Sequence, residues 1–247
     1  MTTNVTIKIL IIIGLILPIL ILTFNKERKN YKNILLFLFY YLLWCFFNSP
    51  LRDFIPNLDF IDSKWNWVGK ILAFSFSILF IFIFHKSFKE NNFFKLKQKE
   101  KSIKPILLVI GLILLISVLF NYFTPEKSAL SFDTLAFQIS MPGLDEEFAF
   151  RGIMLGLLVN SLNDFIQIGK FKLINPALLI TAILFGLIHG IPLTPYLDFK
   201  FDYFSFCYTF IFGLVWGWMV LKSKSILTPI LSHGLTNFTV TLITMIK

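Results

Sequence analysis

The run KPILLVIGLILLISVLFNYF, residues 104–123, decides the fold: after Lys104, nineteen positions pass without a charged side chain. A helix rises about 1.5 Å per residue, so roughly 20 apolar residues cover the ~30 Å hydrocarbon core of a bilayer. Working outward, comparable runs fall near 7–24, 31–47, 67–85, 134–159, 174–194, 203–221 and 226–246. The pattern predicts an all-α, polytopic integral membrane protein with about eight transmembrane helices. Leu51–Asp62 is half polar and reads as an interfacial segment. Residues 9–22 resemble the apolar part of a secretory signal, but they run directly into Asn25, Lys26, Glu27 and Arg28 with no small-residue cleavage site, so a retained first helix is expected.

Composition agrees. Of 247 residues, 56% are hydrophobic and 15% charged, against roughly 25% charged in a soluble domain. Cys45 and Cys207 lie in separate apolar runs, too few for a disulfide framework and too far apart for a metal-binding pair. The net charge of +9 raises nucleic-acid binding, yet the basic residues sit where membrane topology puts them. Fifteen Lys and Arg fall in alternate loops, seven of them between Lys86 and Lys104, and four in the other loops. Lys8, Lys70 and Lys247 read as lying near outer helix ends. The bias of inner loops toward Lys and Arg places both termini outside, and the Lys-rich loop against anionic headgroups. No nucleic-acid partner is expected; the bilayer is.

The first four spans hold no ionisable residue expected near mid-membrane, and His85 sits at an inner helix end. Residues 1–125 therefore read as a four-helix membrane scaffold. Residues 130–247 differ. Asp145, Glu146, Glu147 and Arg151 put four ionisable groups within seven residues of the fifth span, where insertion scales charge about 2.5 to 3.5 kcal/mol for each Asp, Lys or Arg at a helix centre. Glu147 and Arg151 are four apart and share a helical face, acid first. Glu146 points about 100° away and is the carboxylate left over. Pro142 either begins a helix, placing the acids in its first turn, or kinks a longer one.

The sixth span places His189 among apolar residues, with Gly186 and Gly190 leaving room for another helix or for a substrate backbone. The eighth puts His233 and Asn237 on one face. A carboxylate, two imidazoles and a carboxamide make a hydrolytic set. The acid could take a proton from water and return it to a leaving amine. The amide could stabilise an oxyanion, and the imidazoles could hold water, donate protons or bind a metal. One tension exists: counted from the predicted inner boundaries, His189 lies about 22 Å up its helix and His233 about 10 Å.

These motifs, Glu146-Glu147-Phe148-Ala149-Phe150-Arg151, Phe185-x-x-x-His189 and His233-x-x-x-Asn237, resemble in order the three motifs of the CPBP family. These are the CAAX-protease and bacteriocin-processing intramembrane proteases related to the eukaryotic prenyl-protein endopeptidases. The resemblance covers about residues 130–247. It implies an intramembrane endopeptidase acting on a peptide or protein substrate. Glu146 would be the general base, Glu147 and Arg151 its buttress, His189 and His233 holders of water or the scissile carbonyl, and Asn237 an oxyanion donor. Zinc held by Glu146, His189 and His233 would give a three-ligand catalytic site. It is not favoured, because a metal-bound Glu146 is a poor base and no H-E-x-x-H pattern separates ligand from base. Within that reading, processing of a secreted peptide such as a bacteriocin, or self-protection against one, is expected; the alternatives are immunity or regulation of a membrane partner by a non-catalytic relative, and a proton-coupled transporter. The Lys-, Asn-, Ile- and Phe-rich composition suggests a multi-pass protein of a bacterial cell membrane.

Overall fold

The computed structural model describes residues 2–48, 51, 61, 63–192 and 200–247. Almost all of Leu51–Asp62, read above as interfacial, lies outside the described residues, as do positions 193–194 of the sixth run. The helices follow the apolar runs closely: α1 Thr2–Thr23, α2 Tyr31–Asn48, α3 Trp67–Ile83, α4 Ile103–Phe123, α5 Phe132–Glu147, α6 Leu155–Val159, α7 Pro176–Gly190, α8 Tyr203–Ser223 and α9 Leu227–Ile246. A π-helical turn, Phe148–Met154, joins α5 to α6 without a break. Among the described residues the extended structure is a hairpin of two-residue strands, Gln167–Ile168 against Phe171–Lys172, and an isolated bridge between Phe24 and Leu162.

Helix starts follow from local chemistry. Asn66, Ser131, Asn175 and Asp202 each accept, through the side chain, a backbone N–H of the following first turn, in α3, α5, α7 and α8 respectively. Pro176 occupies the first position of α7, where a missing N–H costs nothing. The hydroxyl and amide of Ser205 bind exposed Asp202 and hold its carboxyl below the usual carboxylate range. Pro142 lies inside α5, so it does not begin a helix, and the acids are not a helix start.

Among the described residues three helices are long and apolar enough to cross a membrane, Val5–Thr23, Ile103–Phe123 and Tyr203–Ser223. Trp67–Ile83 and Pro176–Gly190 are apolar but shorter. The 15 residues of α7 reach only about 22 Å. The arrangement is layered. Ala149, Phe150, Ile153, Met154, Leu155, Leu157 and Leu158 are each 0% exposed, so the π turn and α6 form a central rod enclosed on every side. By contrast only 11% of α4 is buried, and its Leu107, Leu108, Leu115 and Ile116 face outward.

Upstream of the rod, α5 packs on α9 and α3; α7 packs on α8 and α1. Two crossings require glycine. A Cβ on Gly143 would come within 2.7 Å of the Ile230 carbonyl oxygen, and one on Gly234 would collide with the carbonyl of Ile139. Backbones of α5 and α9 therefore meet at Gly143 and Gly234, beside the acidic cluster and His233. On α7, a Cβ on Gly190 would lie 2.7 Å from Cβ of Phe206, so the room beside His189 is filled by helix α8, not by a substrate backbone.

Gly234→Ala should lower unfolding stability in detergent by about 1 to 3 kcal/mol, the usual cost of overpacking. Gly111→Ala should not, because nothing lies within 4 Å of the added carbon. Thermal unfolding of both variants checks this; equal melting would contradict the close crossing.

Candidate active site

Three acids and one arginine on consecutive turns leave two negative charges to be matched from elsewhere. Partners divide them. Asp145 accepts from Trp44 Nε1 (2.9 Å) and Asn48 Nδ2 (3.0 Å). Lys70 Nζ lies 3.0 Å from Asp145 Oδ2 and 2.6 Å from Glu146 Oε1. Glu147 turns the other way: His233 Nδ1 donates to its Oε1 at 2.9 Å, and Arg151 Nε stands 3.3 Å from Oε2. The α-helical step between Glu146 and Glu147 is what sends neighbouring carboxylates to different partners.

Arg151 is 1% exposed, and its terminal Nη atoms have no hydrogen-bond partner among the described residues. Aromatic faces surround it instead. Its guanidinium carbon is 4.3 Å from the ring centre of Phe185 and 5.6 Å from those of Phe150 and Trp216, distances at which a cation is attracted to a π face. Arg151 thus fixes Glu147, and Glu147 fixes His233. The His233 ring also stacks on Trp216, centres 4.0 Å apart, while Trp216 Nε1 donates to Ser232 Oγ.

His189 is anchored in the last turn of α7, where its Nδ1 lies 2.8 Å from the Phe185 carbonyl oxygen. A carbonyl and a carboxylate only accept, so Nδ1 carries the hydrogen in both histidines. Nε2 is then the free nitrogen of each ring. Phe185 stands between them, its centre 4.7 Å from His189 and 6.3 Å from His233. The depth mismatch counted from the sequence therefore does not arise: that count assumed parallel helices starting on one plane, and short α7 does not obey it.

Glu146, His189, His233 and Asn237 line one cavity of about 440 Å³, together with Lys70, Gln138 and a wall of Phe137, Phe185, Tyr208, Phe212 and Trp216. Glu147 and Arg151 lie outside that lining, behind His233. Asn237 Nδ2 donates one of its two hydrogens to Gln138 Oε1 at 3.3 Å.

Two sequence expectations change. Glu146 is not a carboxylate without a cation, and the first four helices are not merely scaffold, since Lys70, Trp44 and Asn48 hold the acids. Lys70 reads from sequence as a side chain reaching toward the surface near a helix end. The signal that points to it is charge balance: three acids and one arginine demand a further buried cation. Zinc does not fit. Among the described residues no group of three or more His, Cys, Asp or Glu side chains could hold a metal ion, and a divalent cation on Glu146 would meet an ammonium already 2.6 Å from its Oε1.

With this geometry in place, the chain can be compared with known families. Residues 128–239 match the Rce1-like family, described as type II CAAX prenyl endopeptidase Rce1-like. No curated protein and no solved structure matches the chain. The matched stretch contains Glu146, Glu147, Arg151, His189, His233 and Asn237, and it supports placing the protein among the CPBP and CAAX proteases.

Arg151→Leu should destabilise the protein by about 3 to 5 kcal/mol, because it strands a buried carboxylate. Denaturant unfolding in micelles measures this, and a loss under about 1 kcal/mol would mean that Arg151 is not the partner of Glu147.

Proposed function

We propose that this Rce1-like chain is an intramembrane endopeptidase in which Glu146 activates water for hydrolysis of a peptide bond. One observation carries the reading: the carboxylate of Glu146, the imidazoles of His189 and His233 and the carboxamide of Asn237, supplied by α5, α7 and α9, line one cavity walled by aromatic side chains.

The chemistry follows from which atoms are already engaged. Lys70 occupies Oε1 of Glu146, so Oε2 meets the water. Neutral Nε2 of His189 accepts the water's other hydrogen. With both hydrogens held, the oxygen lone pair is directed at the scissile carbonyl carbon. As the C–O bond forms, Glu146 takes the proton, and the developing oxyanion receives the second N–H of Asn237. Collapse breaks the C–N bond. Glu146 returns the proton to the leaving amine, and the new carboxyl terminus departs. His233, braced by Glu147 and Trp216, presents its Nε2 to the carbonyl side of the cavity. None of these steps passes through a metal.

The substrate is a peptide or protein held within or beside the bilayer. The eight apolar segments cross the cell membrane with both termini outside and the Lys86–Lys104 loop inside. Short α7 and the polar inner faces of α5 and α9 suit this arrangement, because enclosed helices need not match the lipid thickness on every face.

Glu146→Gln keeps the shape but cannot accept a proton. It should reduce cleavage per folded molecule by about 100- to 10,000-fold, the range for loss of a general base. Peptides released from vesicles containing the purified protein, read by mass spectrometry, give the measurement. Cleavage at the unaltered rate would contradict the mechanism and favour a non-catalytic binding role. A chelator should leave the rate unchanged; loss of activity restored by zinc would contradict the metal-free route.

A further inference from the structure

Lys70 stands where a lysine is expensive. It sits in the first turn of α3, after the cap Asn66, at the helix end whose dipole disfavours positive charge. It is 9% exposed and its neighbours Val68 and Ala73 are apolar core. Neutralising Asp145 does not account for it fully, since Trp44 and Asn48 already donate to both oxygens of that carboxylate. The ammonium instead bridges outward, from Asp145, which does not line the cavity, to Glu146, which does.

We propose that Lys70 is a positioning residue: held by Asp145, its ammonium pins Oε1 of Glu146 and leaves Oε2 as the one oxygen presented to the attacking water. The order of contacts is Trp44 and Asn48 to Asp145, Asp145 to Lys70, Lys70 to Glu146. Each link is 3.0 Å or shorter. A glutamate tied at one oxygen cannot swing its carboxylate freely. Reacting groups must be held to within a fraction of an ångström, and a 1 Å misplacement costs about 100-fold in rate. In this arrangement the N-terminal half of the chain aims the base that the C-terminal half carries. The assignment rests on Glu146 acting as the base.

The test is steady-state cleavage by full-length protein in proteoliposomes, per folded molecule, for Asp145→Asn, the double variant Lys70→Met with Asp145→Asn, and Glu146→Gln. The double variant removes one charge of each sign and so leaves the net charge of the cluster unchanged. If Lys70 positions Glu146, the double variant loses about 100-fold in kcat while KM stays within about threefold. Asp145→Asn, which only loosens the ammonium, loses about tenfold in the same way. A folded double variant with the unaltered kcat overturns the assignment. Asp145→Asn is read beside it per folded molecule, and an unaltered kcat there overturns the assignment equally. A purely structural lysine would lower the folded fraction and leave kcat per folded molecule unchanged. Glu146→Gln separates the two claims: if it still cleaves, the proposed function falls; if it is inactive while the Lys70 variant is fully active, only the positioning role falls.

Discussion

Ionised side chains inside an apolar helical assembly need partners, and α5 carries Asp145, Glu146 and Glu147 in succession. A buried charge left unpaired costs several kcal/mol, comparable to much of a domain's net stability. The rest of the protein is arranged around meeting that demand. Arg151 meets part of it one turn on in the π segment, with aromatic faces on its guanidinium. His233 of α9 meets part, brought within reach by the Gly143 and Gly234 crossing. Lys70, Trp44 and Asn48 meet the remainder from α3 and α2.

This arrangement also separates two roles that adjacent residues could easily confuse. Glu147 is turned inward, held on both sides, and shapes the imidazole of His233. Glu146, one residue earlier, reaches the cavity with one oxygen engaged. A helix step of about 100° is enough to give two identical side chains different duties. Because apolar and aromatic groups enclose the site, electrostatic contacts there are screened less than they would be in water. The same enclosure explains why several ring faces crowd Arg151.

Helices were legible because lipid thickness and helical rise set the length of an apolar run. The second run, predicted at 31–47, forms Tyr31–Asn48; the fourth, at 104–123, forms Ile103–Phe123. The fifth run was legible as a helix but not as one interrupted by a π turn at Phe148–Met154, since no residue type in Phe-Ala-Phe-Arg-Gly-Ile-Met demands that register. At the site, His189, His233 and Asn237 stood out as polar residues in apolar company, and they do meet Glu146 at one cavity. Lys70 did not stand out, because a lysine near a helix end can reach the surface as easily as an interior acid. Only the folded arrangement of α3 against α5 distinguishes the two. Gly186 and Gly190 signalled close approach correctly, while the approaching body was set by tertiary packing against Phe206.

The central claim is that charges from distant parts of the chain satisfy one another inside the assembly, and the most direct measurement is energetic coupling across that contact. A double-mutant cycle on unfolding free energy, with Lys70→Met, Asp145→Asn and both together, reads it in detergent micelles. The account predicts that the single changes are each strongly destabilising and the pair far less so than their sum, a coupling of about 1 to 3 kcal/mol. Additive effects, within about 0.5 kcal/mol, would mean that Lys70 and Asp145 do not meet, and the proposed arrangement of the acidic cluster would be wrong.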